Sequence, residues 1–432
     1  MKIAVVGLWH LGEVVSTGLS EFGHTVIAID RDENVVANLK KGILPLPEKD
    51  VAVSMVRHIK NGSLSFSTDF QKVKDCDAVF LTYDTPVDED DRPDITCLLQ
   101  STAQLARYLK NDTLFVVMSQ VPVGTTKKLF KSIKKHNLKF TGAVVYFPEN
   151  LQLGKALECF LSPERVVIGA ETESAFLKLD TIIARVKCPR IRMNIASAEI
   201  TKHALNSFLA TSLSFIYNIS DVCEIAGGDV TDVARALRSD PRIGEPAYLD
   251  SSLGFSGGTL MRDLRTLSKF AKKNKKPLAV IDGVLQTNIN RRKILIGRLR
   301  RLLPTPLSKA TIGILGVTYK PGTSTLRRSL ALELIGMLRK EKAKIHVFDP
   351  QASATEFKKE TGLQLSETAE KASRGCHALL LVTAWPEFKD LPLKKIQKAM
   401  SPPYLLLDTR NFLKSEEKEI QKAGFLYRGI GR

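Results

Sequence analysis

The first thirty residues constrain this chain most. A β-branched run, Lys2–Val6, leads into Gly7-Leu8-Trp9-His10-Leu11-Gly12, and a second such run, Thr25–Ile29, ends in Asp30. Strand, glycine-punctuated turn, helical stretch and second strand make a βαβ unit, and few other arrangements accept that order. The alternation continues to about residue 190, with strands expected over Ala78–Thr82, Leu114–Ser119, Lys139–Tyr146 and Arg165–Ile168. It returns after the proline-bearing stretch Pro304–Lys309, with strands over Thr311–Leu315, Lys344–Phe348, Ala378–Thr383 and Tyr404–Asp408 and a helix over Leu330–Lys340. Between the two, from Ala198 to Ala226, apolar residues recur at three- and four-residue spacing without Pro or Gly. That pattern predicts one long helix, a natural centre for a dimer. The expectation is an α/β protein of two doubly wound lobes joined by a helical segment, divided at 1–195, 196–300 and 301–432. The last residues, Tyr427–Arg432, read as a short polar tail.

A length of 432 residues agrees with about three domains. Apolar runs never reach membrane-spanning length, and the amino terminus lacks the apolar block and cleavage site of a secretory signal. Six cysteines scattered singly, with no CxxC pair, point to a reduced, cytoplasmic chain with no disulfide framework and no metal site. Lys plus Arg is 64 against 46 Asp plus Glu, a formal +18 that would attract polyanions. In Lys127–Lys139, Arg265–Lys276 and Arg291–Arg301, however, the basic residues interleave with apolar ones at helical spacing rather than with stacking aromatics. They read as solvated helix faces, so neither nucleic acid nor a membrane is the expected partner. An anionic small substrate such as a nucleotide would profit from the same field.

The turn Gly7–Gly12 carries the first chemistry. A GxGxxG turn lets backbone approach a pyrophosphate at a helix amino terminus, and here Trp9 stands in place of the middle glycine. Asp30, at the end of the second strand, can accept hydrogen bonds from the ribose hydroxyls of NAD. It would repel a 2′-phosphate, an effect that Arg31 beside it softens. Gly7, Trp9, His10, Leu11, Gly12, Asp30 and Arg31 are therefore candidate cofactor residues; the alternative is a plain βα turn. Lys202 and Asn206, four apart, share one helix face and could reach one oxygen. Alone, such a pair reads as solvated.

Further motifs follow in order: Tyr83-Asp84-Thr85-Pro86, Ser119-Gln120-Val121-Pro122-Val123-Gly124-Thr125, Pro148-Glu149-Asn150-Leu151 with Gly154-Lys155-Ala156, and Pro163-Glu164-Arg165-Val166-Val167-Ile168-Gly169. Then come Glu199–Asn206, Asp240-Pro241-Arg242-Ile243-Gly244, Gly316–Pro321, Leu326–Ser329, Phe348–Pro350, Trp385–Phe388 and Asp408–Asn411. In this order the chain resembles the UDP-glucose/GDP-mannose dehydrogenase family, the nucleotide-sugar 6-dehydrogenases, almost end to end. The resemblance implies an amino-terminal NAD-binding Rossmann domain, a central helical domain that forms a homodimer, and a carboxy-terminal domain that binds the nucleotide of a sugar nucleotide, UDP-linked before GDP-linked. It implies that Thr85, Pro86, Ser119 and Arg327 join the cofactor set. It places Asn150, Leu151, Tyr248, Leu249, Phe255, Gly257, Tyr319 and Lys320 at the substrate, with Arg242 reaching into the partner's site. Lys202 and Asn206 would stabilise an oxyanion, Glu149 would act as acid or base, and Asp263 would complete the catalytic set.

One departure is decisive. Where the family's loop reads GFGGSCFPKD, this chain reads Gly254-Phe255-Ser256-Gly257-Gly258-Thr259-Leu260-Met261-Arg262-Asp263, so the nucleophilic cysteine is Thr259. A thiol with a pKa of about 8.5 ionises readily, whereas a hydroxyl needs an adjacent base to attack. Leu153 replaces a second glutamate of the family, Gln120 the threonine that holds a water, and Thr325 an aspartate. The retained residues suit sugar-nucleotide binding and alkoxide stabilisation; the lost ones suit thioester formation and hydrolysis. The leading expectation is an NAD-dependent oxidation limited to one hydride transfer. The alternatives are a catalytically impaired, regulatory sugar-nucleotide-binding homologue and, more remotely, a basic polyanion-binding scaffold.

Overall fold

The computed structural model describes residues 1–46, 48–86, 93–149, 151–255 and 258–432. They form two compact units, Met1–Ala204 and Leu205–Arg432. The first contains β1 (Lys2–Val6), α1 (His10–Glu21), β2 (Thr25–Ile29), α2 (Glu33–Lys40), α3 (Lys49–Lys60), β3 (Leu64–Ser67), β4 (Ala78–Leu81) and α4 (Thr96–Ala106). It continues through β5 (Leu114–Val117), α5 (Thr125–His136), β6 (Val144–Tyr146), α6 (Ala156–Leu161), β7 (Val166–Gly169), α7 (Glu173–Ile182) and β8 (Arg190–Met193). Among the described residues these strands form an eight-stranded sheet of order β3-β2-β1-β4-β5-β6-β7-β8. Pairing is parallel except between β6 and β7, where Tyr146 faces Gly169.

The strands of this sheet read as near-continuous apolar runs because helices cover both faces. In β1, Ile3 and Val5 enter one core with Val14, Leu19 and Leu179, while Ala4 and Val6 enter the other with Leu98, Leu105 and Leu129. The expected strands over Ala78–Thr82 and Leu114–Ser119 are found, slightly shorter. Edge strands β3 and β8 escape a sequence reading because they are short and carry Ser or Arg at alternate positions rather than an apolar run. The strand expected over Lys139–Tyr146 is a correction: only Val144–Tyr146 pairs. Phe140 is instead buried with Lys134 on its carbonyl, and a Cβ at Gly142 would fall 2.1 Å from the Thr113 carbonyl oxygen.

The long helix is α8, Ile195–Ala226, and the division between the units falls within it. The second unit adds α9 (Val230–Ser239), α10 (Gly258–Lys273) and α11 (Ala279–Leu302), whose apolar faces meet Ala210, Ile216, Tyr217 and Leu249 in a helical core. Then follow β9 (Thr311–Leu315), α12 (Leu330–Lys340), β10 (Lys344–Phe348), α13 (Ala354–Thr361), α14 (Ala369–Ala372), β11 (Ala378–Leu381), α15 (Leu393–Ala399), β12 (Leu405–Asp408), α16 (Glu417–Lys422) and β13 (Leu426–Arg428). Among the described residues the strands form a parallel five-stranded sheet, β10-β9-β11-β12-β13. The supposed polar tail is a second correction. Tyr427 and Ile430 are buried, the Gly431 N–H donates to Glu224 Oε1 at 2.8 Å, and the Val230 N–H donates to the Gly431 carbonyl at 2.9 Å. Arg298 closes the clamp through the Gly429 carbonyl at 2.7 Å. Among the described residues no helix is long and apolar enough to cross a membrane.

Candidate active site

Each sheet reverses strand order once, between β1 and β4 and between β9 and β11, and the two crevices are built alike. After β1, Gly7 turns with φ +100°, and a Cβ there would lie 2.7 Å from the Tyr83 nitrogen beyond β4. After β9, Gly316 turns with φ +87°, and its Cβ would lie 2.8 Å from the Thr383 nitrogen. The Leu8 N–H donates to Asp30 Oδ2 at 2.7 Å; the Val317 N–H donates to Asp349 Oδ2 at 2.6 Å. Open α/β sheets bind ligands at such switch points.

The two carboxylates differ in what is left over. Asp349 Oδ2 also accepts from Thr318 N–H, Thr318 Oγ1 and Trp385 Nε1, so it is spent on holding its turn. Among the described residues Asp30 accepts only from Leu8 N–H and, through Oδ1, from Asp32 N–H, which leaves lone pairs on both oxygens. In the first crevice a Cβ at Gly12 would sit 1.9 Å from the Gly7 carbonyl oxygen, so only glycine permits this close turn. Trp9 adopts φ −90°, ψ −164°, extended backbone open to any residue, and its ring is half exposed. The turn therefore does not need a glycine there. Helix α1 has no side-chain cap, and the N–H groups of His10, Leu11 and Gly12 meet no acceptor among the described residues. An uncapped helix start facing a glycine turn fits a pyrophosphate, and the free lone pairs of Asp30 fit ribose hydroxyls. Arg31 turns to Ser101, 2.6 Å from its Oγ, and lies over the Tyr83 ring.

Near this turn, Thr85 Oγ1 donates to the Gln120 carbonyl at 2.6 Å, joining two of the sequence motifs. Pro86 is exposed and its carbonyl accepts from Asp94 N–H. Ser119 is fully buried, and its hydroxyl donates to Leu81 O at 3.3 Å within the sheet. Lys202 is buried, donates to the Glu149 carbonyl, and lies 3.4 Å from Glu149 Oε1. The other carboxylate oxygen accepts from Leu151 N–H at 2.6 Å, which fixes the start of the following loop. Asn150 lies outside the described residues, as does Gly257. Glu199, one turn before Lys202, receives the N–H groups of Gly124 and Thr126 at 2.5 and 2.8 Å and so caps α5. The sequence reading gave Glu199 no role, although its place in a motif was visible.

In the second unit, the Asn206 amide donates to Asp263 Oδ2 at 2.5 Å, and Asp263 is fully buried. Thr259 is exposed in the first turn of α10. The loop before it is held by Asn288 of α11, which accepts from Phe255 N–H at 2.9 Å and donates to the Phe255 carbonyl at 3.2 Å. Gly254 passes this amide with φ +119°, and a Cβ would meet Asn288 Oδ1 at 2.6 Å. Asn288 was missed because a mid-helix Asn has no motif. The thiols of this unit lie elsewhere. Cys223 is about 25 Å along α8 from Asn206 at about 1.5 Å rise per residue. Cys376 precedes β11, at the opposite strand end from the crevice, and burial pushes its thiol up to about 12.

Toward the carboxy-terminal crevice, Tyr319 N–H donates to Thr325 O at 2.9 Å, Lys320 is half buried, and Arg327 is exposed. Burial raises the Tyr319 hydroxyl, an effect that the Arg410 charge opposes. Leu249 and Phe255 are buried, while Tyr248 is exposed. Arg242 touches only Asp240 among the described residues, with its side chain 87% exposed.

The NAD binding domain of the UDP-glucose/GDP-mannose dehydrogenase family matches residues 1–187, its central domain matches 196–290, and its UDP binding domain matches 313–415. UDP-glucose 6-dehydrogenase TuaD of Bacillus subtilis is 32% identical over 439 residues, spanning all of this chain and 93% of that protein. A UDP-glucose 6-dehydrogenase of Rhizobium meliloti is 30% identical, with full coverage of both chains. Among solved structures, a UDP-glucose dehydrogenase from Pyrobaculum islandicum superposes with a TM-score of 0.87 at 26% identity, covering 100% of this chain and 97% of that one. A UDP-D-ManNAc dehydrogenase from Pyrococcus horikoshii shares the fold, with a TM-score of 0.88 at 23% identity and coverage of 100% and 99%. The chain belongs to the UDP-glucose/GDP-mannose dehydrogenase family of NAD-dependent nucleotide-sugar oxidoreductases.

Proposed function

We propose that this protein oxidises the alcohol of a UDP-linked sugar by one hydride transfer and releases the carbonyl product. NAD, when bound, supplies the hydride acceptor; the uncapped start of α1 and Asp30 would hold it. Lys202 would stabilise the alkoxide oxygen as the hydroxyl loses its proton, with Asn206 one turn along α8 offering an amide on the same helix face. Glu149, which fixes the ammonium through its carbonyl and carboxylate, is the candidate acceptor for that proton. Asp263 would act by orienting Asn206. Tyr248, Tyr319, Lys320 and Arg410 are the candidates for the nucleotide.

The observation that carries the one-step reading is Thr259. It occupies the first turn of a helix, where the amide dipoles would lower a thiol's pKa and make a nucleophile. A threonine hydroxyl does not ionise under that influence, so no acyl-enzyme forms and the second oxidation lacks its carrier. NADH formed per sugar nucleotide consumed tests this, with mass analysis of the product. One equivalent and an aldehyde or ketone are expected, and Thr259→Cys should add uronic acid. Two equivalents with a uronic acid from the unaltered protein would defeat the reading. Absence of NADH with every sugar, alongside nucleotide-induced thermal stabilisation, would favour the regulatory homologue.

We also propose a homodimer along α8. Phe208, Phe215 and Val222 recur every seven residues and, with Ile225, are exposed on one side of the helix. Arg242, which among the described residues meets only Asp240, would then be free to serve the neighbouring subunit.

A further inference from the structure

Helix α5 presents a one-sided basic surface in the first unit. Thr125, Thr126, Leu129 and Ile133 are buried, and Glu199 fastens the first turn, so the helix is a fixed part of its domain. Lys127, Lys128, Lys131, Lys134, Lys135 and His136 are exposed, and the turn that follows exposes Lys139 and Leu138, the latter at 88%. From Thr125 to Lys139 six lysines stand without a single Asp or Glu. Helix α4, which packs beside α5, carries no acidic residue.

Elsewhere basic side chains meet carboxylates: Arg192 pairs with Glu173 and Asp180, Arg300 with Glu341, Lys414 with Asp229. Among the described residues, Lys127, Lys128, Lys131, Lys135 and Lys139 form no ion pair. Like charges crowded on one helix face repel, and an anionic partner relieves that repulsion. The charges on α5 are all lysine, point charges without the planar fork that suits Arg to nucleic acid. The nearby rings are not available for stacking on bases, since Phe140 is buried and Phe130 half buried with the Lys134 ammonium 5.6 Å from its centroid. What is exposed is an aliphatic side chain, Leu138, among lysines. That combination suits the headgroup layer of a bilayer, where lysines stay at the phosphates and an apolar side chain enters.

We propose that the α5 face, from Lys127 to Lys139 with Leu138 at its edge, docks the protein peripherally on an anionic phospholipid surface. None of these side chains is among those assigned to catalysis, and the use of this surface does not depend on how many hydrides are transferred. It revises the expectation that these lysines only face solvent.

The test is co-sedimentation of the full chain with phosphatidylcholine vesicles, with and without phosphatidylglycerol. Binding is expected only to the anionic vesicles and should fall as salt rises. Replacing four lysines together (Lys127→Gln, Lys131→Gln, Lys135→Gln, Lys139→Gln) should weaken it more than about tenfold. Leu138→Ser should remove the part that survives high salt, and Lys135→Glu alone is a milder control should the quadruple variant fold poorly. NADH formation in solution should be unchanged in every variant. The proposal is overturned if the protein ignores phosphatidylglycerol, if both lysine variants bind like the original, or if single-stranded RNA at equal phosphate strips the protein from the vesicles. That last result would make nucleic acid the partner.

Discussion

Glu13 shows how much one side chain can depend on its surroundings. It follows the glycine turn, is fully buried, and neither carboxylate oxygen has a hydrogen-bond partner among the described residues. Burial, and then the nearby Glu48 carboxylate, push its pKa up to about 8 from 4.5. Glu48 itself is engaged, accepting from His10 Nε2 at 3.0 Å and from Gly154 N–H at 2.9 Å. The unfolded chain releases the Glu13 proton above about pH 4.5, while the folded chain keeps it to about pH 8. Between those values the folded state binds more protons, so stability must fall as pH rises and level off above about pH 8. Glu13→Gln should flatten that slope and raise stability at neutral pH by on the order of 1–3 kcal/mol. Urea melts at pH 5, 7 and 9 (about two units apart) would check this; parallel slopes in variant and parent would refute it. Nothing in the sequence announced this residue, because burial of a carboxylate is a property of what packs around it.

At the scale of the element, the loop before α10 was legible as glycine-rich but not as anchored. Its chemistry needed Thr259 in register, and the flanking Gly254-Phe255 and Asp263 supply that register in sequence alone. Its geometry needs Asn288, more than a helix away, to clamp Phe255 from both sides. Gly254→Ala forces a Cβ into that clamp at a left-handed φ, at a cost of about 1–3 kcal/mol. Thermal melting should drop, and NADH formation should fall at least about tenfold if the loop is displaced by even an ångström. An unaltered rate and melting temperature would show that the clamp is not needed. The central strands and the long helix were legible because their apolar periodicity is set locally. Edge strands β3 and β8 and the carboxy-terminal strand β13 were not, since each is a strand only by virtue of its neighbour.

At the scale of the whole molecule, the two crevices repeat one device: a glycine at positive φ, a carboxylate two residues or fewer past the neighbouring strand, and a backbone N–H joining them. Only the first leaves its carboxylate with capacity for a ligand. The exposed heptad stripe of α8 belongs to this scale too. If it is a dimer seam, Phe208→Asp with Phe215→Asp should convert the protein from dimer to monomer in sedimentation equilibrium. Activity should fall with it, because Arg242 would lose its partner site. A monomeric parent protein would end that reading.

Local order in the chain was enough for the alternation of strands and helices, the glycine turn, the long helix and the position where sulfur is replaced by a hydroxyl, for these are matters of spacing and residue type. Which carboxylates keep free lone pairs, which are buried without partners, and which asparagine holds a loop depend on atoms brought together from distant segments. Hydrogen bonds and desolvation act over a few ångströms in space, and no period along the chain records them.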